Sequence, residues 1–195
     1  MRRALKAIVF TASVTLALAA VAAPAHAEGY VTPWVGNNWG SDISNGRAAF
    51  GVNAGSMSDG ILGGELNFGY SPSFFGTQND FGHNTVVDFM GNIIIGVPIG
   101  GRHVAAVRPF VTGGIGLLRT QIDGGTLARV SSSNNQLGWN AGGGVMGYFN
   151  EHVGLRGDIR YLRGFENLAT GNTLIDLDGN NQLRFWRVSG GVVLR

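Results

Sequence analysis

The chain has 195 residues, with 14 Lys and Arg, 12 Asp and Glu, 33 Gly, 5 Pro and no Cys. That length supports one domain, or two small ones, with a real core, and the missing cysteines exclude a disulfide scaffold, a thiolate metal site and a thiol nucleophile. At 44% hydrophobic and 13% charged, it is too apolar for disorder and poor in charge for a soluble domain, where about a quarter of residues are charged, so something other than water faces part of its surface.

Residues 1–27 read as a secretory signal. Arg2, Arg3 and Lys6 precede an almost unbroken Ala, Val, Leu and Ile run from Ala7 to Ala23, and Ala25-His26-Ala27 fits the A-x-A cleavage pattern. Cleavage after Ala27 removes three positive charges and no negative ones, leaving 11 basic and 12 acidic residues and a net charge of −1. Lys6 is the sole lysine, so every remaining basic residue is Arg. No basic patch interleaved with aromatics survives, which argues against a nucleic-acid partner. Residues 28–195 then form one domain.

From Glu28 onward no window has helical periodicity, and no apolar run reaches the 18 or so residues of a spanning helix. The recurring period is two, which gives a strand one apolar face and one polar or small face. Tyr30 to Trp39 is strand-like, with an inward face left open by Pro33, and Phe50, Val52 and Ala54 repeat the alternation weakly. Next come Leu62, Gly64, Leu66, Phe68 and Tyr70 against Glu65 and Asn67, then Val87, Phe89, Gly91, Ile93, Ile95 and Val97 against Asp88, Met90, Asn92 and Ile94. Pro109, Val111, Gly113, Ile115 and Leu117 alternate with Arg108, Phe110 and Thr112. Leu137, Trp139, Ala141, Gly143, Val145, Gly147 and Phe149 alternate with Asn140, Gly142 and Met146. Val153, Leu155, Gly157, Ile159 and Tyr161 oppose Arg156, Asp158 and Arg160, and finally Trp186, Val188, Gly190, Val192 and Leu194 oppose Arg187 and Ser189.

Eight strands of about ten residues each have the length that a tilted strand needs to cross a bilayer's hydrocarbon layer. The odd connections, Gly40 to Gly46, Ser71 to His83, Thr120 to Asn135 and Phe165 to Asn181, are mostly long and polar. The even ones, Met57 to Gly60, Pro98 to Ala106 and Asn150 to His152, are shorter. Transmembrane barrels show this asymmetry, with tight periplasmic turns and extended external loops. Glu65, Asp88, Arg108, Arg156, Asp158, Arg160 and Arg187 all fall mid-strand opposite the apolar stripe, where a closed eight-stranded barrel would turn them inward to pair across a filled lumen. With the chain starting in the periplasm, Tyr70, Trp139, Tyr161 and Trp186 lie near external strand ends and Phe149 near an internal end, the pattern of membrane-interface aromatic girdles.

No hydrolase elbow, zinc-protease, Walker or dinucleotide motif occurs, and glycine reads as a device of narrow, strongly curved strands. His83 falls in an external loop, with Ser71, Ser73 and Asp80 nearby in sequence, whereas His103 and His152 fall at internal turns, so the three cannot converge on a metal. Asp176-Leu-Asp178-Gly-Asn180 has alternate oxygen ligands but lacks the EF-hand glycine position and twelfth-position Glu, and reads as a turn. The expectation is no enzyme activity, no cofactor and no metal, with a lipid A- or phospholipid-modifying site built on His83 as the remote alternative.

The stretches Arg108-Pro-Phe-Val-Thr-Gly-Gly-Ile-Gly, Asn140-Ala-Gly-Gly-Gly-Val-Met-Gly-Tyr-Phe and His152-Val-Gly-Leu-Arg-Gly-Asp-Ile-Arg-Tyr resemble the small eight-stranded outer-membrane β-barrel proteins related to the membrane domain of outer-membrane protein A. The likeness covers nearly all of residues 28–195. It implies an all-β, antiparallel, monomeric transmembrane barrel in the outer membrane. Its partners would be outer-membrane lipid and lipopolysaccharide, the barrel-assembly machinery, and a glycan or protein ligand at the external loops. Two features depart from that pattern: the chain ends Val193-Leu194-Arg195 rather than in an aromatic residue, and no peptidoglycan-binding domain follows. The role implied is envelope integrity or surface interaction, with the interior plugged by the Arg, Asp and Glu network. Two alternatives stand beside it. One is a narrow pore or hydrophobic small-solute conduit past Met90, Ile94, Phe110 and Met146; the other is a soluble periplasmic lipocalin-like barrel with its apolar stripe inward.

Overall fold

A computed structural model describes residues 27–40, 43–74, 83–99, 107–123, 131–165 and 183–195. Eight antiparallel strands, β1 (Ala27–Gly40), β2 (Ile43–Ser58), β3 (Leu62–Pro72), β4 (His83–Gly96), β5 (Val107–Asp123), β6 (Ser131–Tyr148), β7 (Val153–Gly164) and β8 (Arg184–Leu194), pair in sequence order. The sheet closes where β8 returns to β1, from Val31 opposite Leu194 to Trp39 opposite Trp186. The signal segment, save Ala27, lies outside the described residues, as do His103, Asp80 and the Asp176 to Asn180 run. Ala27 itself opens the ladder opposite Ser58.

The alternation decides which wall each side chain joins. Val111, Ile115 and Leu155 are 60%, 65% and 51% exposed on the outside, while their neighbours Phe110, Arg156 and Asp158 are buried within. A lipocalin-like barrel would show the reverse, so the soluble alternative fails on the facing of these residues. The ambiguity at Pro33 also resolves. Tyr30, Thr32, Trp34 and Asn38 turn inward, and Val31, Val35 and Trp39 turn outward.

Local chemistry sets the short turns. Asp59 and Gly60 both have positive φ (49° and 69°), and the Ile61 N–H donates to the Ser58 carbonyl (2.9 Å), so a tight turn with left-handed central residues, whose twist matches that of the strands, sits within the three-residue connection. Between β6 and β7 the Asn150 side chain accepts backbone hydrogen bonds from His152 (2.9 Å) and Val153 (2.8 Å), a side-chain mimic of a backbone turn. His152 is exposed there.

The strands run further than their apolar stripes. Ile43 pairs with Gly40, so the first connection is not Gly40 to Gly46 but the two residues between β1 and β2. Likewise Thr120 to Asp123 pair with Asn134 to Ser131, within the span expected to be the Thr120 to Asn135 loop. His83 opens β4 opposite Asp123 rather than lying in a loop, Ser71 and Pro72 belong to β3, and Met57 belongs to β2. The reason is that ladder hydrogen bonds come from the backbone, which continues pairing above the apolar band where the side chains become polar.

Glycine supplies the curvature on the inner wall. A Cβ at Gly114 would run into the Gly91 carbonyl oxygen, and one at Gly142 into that of Ile159. Outward-facing Gly157 and Gly190 are different, with the nearest atoms to an added Cβ at 4.0 and 3.9 Å.

Candidate functional site

The buried side chains of the lumen fall in three layers. Toward the end where β1 begins and β8 finishes, Tyr30, Met57, Ile94, Phe110, Met146, Tyr148 and Val193 form a buried apolar cluster. Toward the opposite mouth a second cluster contains Ile43, Phe74, Val86, Met90, Leu118, Leu162, Leu183 and Phe185. Phe74 belongs to the segment after β3, expected to be an external loop. Ser73 adopts positive φ (51°), and the Phe74 ring is fully buried edge-on to Phe185 at 4.9 Å.

Between the clusters lies a belt of ions. Glu65 on β3 binds Arg156 and Arg160 on β7, through Arg156 Nη1 and through Arg160 Nη2 at 2.7 Å. Asp158 lies between the same two arginines, 2.8 Å from Arg156 Nε and 3.3 Å from Arg160 Nε. The Tyr30 hydroxyl donates to Glu65 (2.8 Å) and the Ser189 hydroxyl to Asp158 (2.8 Å). Two carboxylates against two guanidiniums make the group electroneutral, and the spare lone pairs are taken up by hydroxyls, which is what a buried ion cluster needs to be tolerated.

Asp88 and Arg187 form a separate pair. The carboxylate takes two hydrogen bonds from the guanidinium, at 3.1 and 2.6 Å, while Arg187 Nε donates to Asn38 (2.8 Å) and Asn38 in turn to Ser71 (2.8 Å). Arg187 also lies over the Trp34 ring at 4.9 Å, and Arg156 over Phe110 at 4.5 Å, placing cations against aromatic faces.

Arg108 stands apart from both groups. Its partner is Glu28 (3.4 Å), which also binds Arg195 (3.1 Å), and both arginines flank the Tyr148 ring. The expectation that Arg108 pairs with Glu65, Asp88 or Asp158 is therefore corrected. Those acids lie deeper in the lumen, and Glu28 is the carboxylate at its own level. Reading the alternation missed Glu28, Tyr30, Asn38 and Ser71, because the face of the first strand was open and a hydroxyl or amide carries no charge signal.

The pairs that cross the barrel follow a single geometric rule. Glu65 to Arg156 joins β3 to β7, Asp88 to Arg187 joins β4 to β8, and Glu28 to Arg108 joins β1 to β5. Each pair links strands four apart in a ring of eight, which are diametrically opposite. These pairs are spokes across the lumen, whereas Asp158 joins its two arginines along β7 itself. Among the described residues, Thr32 Oγ1, Trp34 Nε1, Asn92 Nδ2, Asn140 Oδ1 and Arg160 Nη1 are buried without a protein partner.

On the outer wall, Tyr70 stacks by Phe50 (5.2 Å), and Trp139, Tyr161 and Trp186 form a chain of rings at 5.6 and 5.1 Å. Phe149 is exposed near the other end, beside the β6–β7 turn. Trp39, the cross-strand partner of Trp186, is also exposed on the outer wall and was not singled out from sequence.

The outer membrane protein beta-barrel domain model matches residues 9–195. The chain belongs to this family. Family membership makes the outward apolar band a surface for the outer membrane, crossed by strands rather than helices. The barrel is similar to the crystal structure of Neisserial surface protein A, with TM-score 0.61 and 17% identity over 86% of this chain and 97% of that one. It is also similar to the N-terminal barrel of Pseudomonas aeruginosa OprF, with TM-score 0.51 and 16% identity over 86% and 98%. At such identities the likeness is one of fold. No curated protein sequence matches the chain.

Proposed function

We propose that this outer-membrane barrel is sealed, and that it serves envelope structure and surface interaction through its external segments rather than transport or catalysis. One observation carries the reading: buried apolar side chains cluster in the lumen on both sides of the ionic belt. A solute would have to displace two apolar clusters and the spokes between them, and eight strands leave an interior just wide enough for side chains. The sequence supplies an export signal in residues 1–27, and the ladder hydrogen bonds of a closed sheet need no water, which suits a monomer inserted by the barrel-assembly machinery. The external segments between β3 and β4, β5 and β6, and β7 and β8 would carry any glycan or protein ligand.

A narrow conduit is the second reading. It is favoured by the unpartnered polar atoms of Thr32, Trp34, Asn92, Asn140 and Arg160 at mid-barrel, which could line a thread of water. Planar-bilayer conductance and liposome swelling separate the two. The sealed reading expects no steady conductance and no swelling by small sugars, and a stable open level in the unaltered protein overturns it.

A further inference from the structure

The ions of the lumen are not balanced alike at every level. In the inner belt two guanidiniums, Arg156 and Arg160, meet two carboxylates, Glu65 and Asp158. At the mouth where β1 begins, two guanidiniums share one carboxylate. Arg108 and Arg195 both end on Glu28, at 3.4 and 3.1 Å, and both face the Tyr148 ring. The Arg108 side chain is only 8% exposed, yet its Nε has no protein partner and its Nη1 donates to the Met57 thioether at 3.9 Å, a weak acceptor. A guanidinium so far removed from water gains most from a charged acceptor. Glu151, on the nearby β6–β7 turn, is exposed and has a partner of its own. Glu28 is 46% exposed, so the cluster opens to solvent on its carboxylate side while Arg108 stays buried behind.

The backbone beside this cluster is open as well. β1 pairs with β2 from Ala27 opposite Ser58, but with β8 only from Val31 opposite Leu194. Past Leu194 the chain bonds to the β7 side instead, where the Arg195 N–H donates to the His152 carbonyl at 2.9 Å. Among the described residues, the stretch from Glu28 to Tyr30 is therefore paired on one side only. Such an edge accepts an extended segment through its backbone groups. Side chains opposite Glu28 and Tyr30 on an added strand would share their face of the sheet. That face is the lumen, since Tyr30 is buried there and Glu28 reaches Arg108. Glu28 itself shows which group the two arginines take, a carboxylate carried on extended chain.

We propose that Arg108 and Arg195 form a docking site for an acidic segment of another protein, which adds to the Glu28 to Tyr30 edge of β1 and sets a Glu or Asp carboxylate between the two guanidiniums. The second carboxylate brings this mouth to the two-against-two balance of the inner belt. The proposal rests on the outer-membrane reading with β1 starting in the periplasm, which makes the partner a periplasmic one.

The full-length barrel in uncharged detergent micelles is titrated with capped tetraglutamate carrying a neutral dye, and binding is followed by fluorescence polarisation, with capped tetraglutamine as a parallel arm and inorganic phosphate as competitor. The unaltered protein binds tetraglutamate at least about tenfold more tightly than tetraglutamine. Arg108→Gln and Arg195→Gln each weaken tetraglutamate binding by about tenfold or more, whereas Arg119→Gln on the outer wall of β5 leaves it unchanged. Glu28→Gln removes the one carboxylate the arginines share and tightens binding by about threefold or more, a gain that a purely structural clasp does not give. Fast gel mobility of unheated sample shows that each variant is folded, and Arg195→Gln, which lies outside the β8 ladder, carries the test if Arg108→Gln does not fold. Equal binding of the two peptides, full binding by Arg195→Gln, or weaker binding by Glu28→Gln overturns the site; phosphate that displaces the peptide at equal concentration overturns the peptide in favour of a bare anion. Micelles have no sidedness, so these results leave the orientation of the barrel untouched. Labelling of His152→Cys by an impermeant maleimide tests that separately, and reaction on intact cells would refute a periplasmic partner while leaving the site itself standing.

Discussion

Replacing Glu65 by Gln keeps the shape of the side chain and removes its charge from the centre of the lumen. Glu65 accepts hydrogen bonds from the Tyr30 hydroxyl, from Nη1 and Nη2 of Arg156, and from Nη2 of Arg160. In the variant, Asp158 alone faces two guanidiniums, and the new amide sets donors against donors. At an effective dielectric of ~20, one ion pair at about 4 Å is worth ~4 kcal/mol, and removing one member of a buried pair costs about 3–5 kcal/mol because the partner stays charged and dehydrated. We therefore expect Glu65→Gln to destabilise the barrel by about 3–5 kcal/mol. Adding Arg156→Gln restores neutrality, so the double variant should be less destabilised than the sum of the two singles by at least ~1.5 kcal/mol. Urea unfolding in phosphatidylcholine vesicles, followed by tryptophan emission and by the mobility of unheated sample, measures all three variants. A loss below about 1 kcal/mol for the single variant, or additivity within ~0.5 kcal/mol, would refute the reasoning that the spokes are coupled.

Further outcomes follow from other parts of the wall and lumen. Phe74→Ala removes the ring that packs on Phe185 and should cost about 3–5 kcal/mol; if unfolding curves do not move, Phe74 is not part of the core. Ile115→Arg places a charge on the exposed outer band and should slow or weaken insertion into vesicles by about 2–4 kcal/mol if it sits near the midplane, an effect that unchanged insertion equilibria would contradict. Gly114→Ala forces a Cβ against the Gly91 carbonyl and should destabilise by about 1–3 kcal/mol, while Gly157→Ala, with room outside, should be neutral or stabilising by about 0.4–1 kcal/mol; a larger loss at Gly157 than at Gly114 would mean that the walls are assigned the wrong way round. The unaltered protein should migrate differently before and after boiling, because a closed ladder leaves no edge from which detergent can start unfolding.

The architecture was legible because period-two alternation is a direct record of two different solvents on the two faces of a strand. Val87 to Ile95 and Val153 to Tyr161 carried that record almost without interruption, and the structure turns those side chains outward. The first strand was not legible. Tyr30, Thr32 and Trp34 suit either face, and what settles their direction is tertiary: a hydroxyl aimed at Glu65 and a ring beneath Arg187. Charged positions were found as a class, but their pairing was hidden, since a pair such as Asp88 and Arg187 is joined across the lumen by four-strand separation that no local spacing encodes. Phe74 was hidden for a related reason. A phenylalanine beside Pro72 and Ser73 reads as loop until the mouth of the barrel is there to receive it.

The order of pairing has a consequence for how the molecule comes to exist. Seven of its eight strand contacts join neighbours in the chain, and only the β1–β8 contact brings distant segments together. Hairpins can therefore form one after another with little loop entropy at stake, while the last ladder must bridge nearly the full length of the polypeptide. Until that moment β1 and β8 are open templates, each able to recruit a strand from another molecule. The window of risk for aggregation, and the natural place for an assembly factor to intervene, is that one seam.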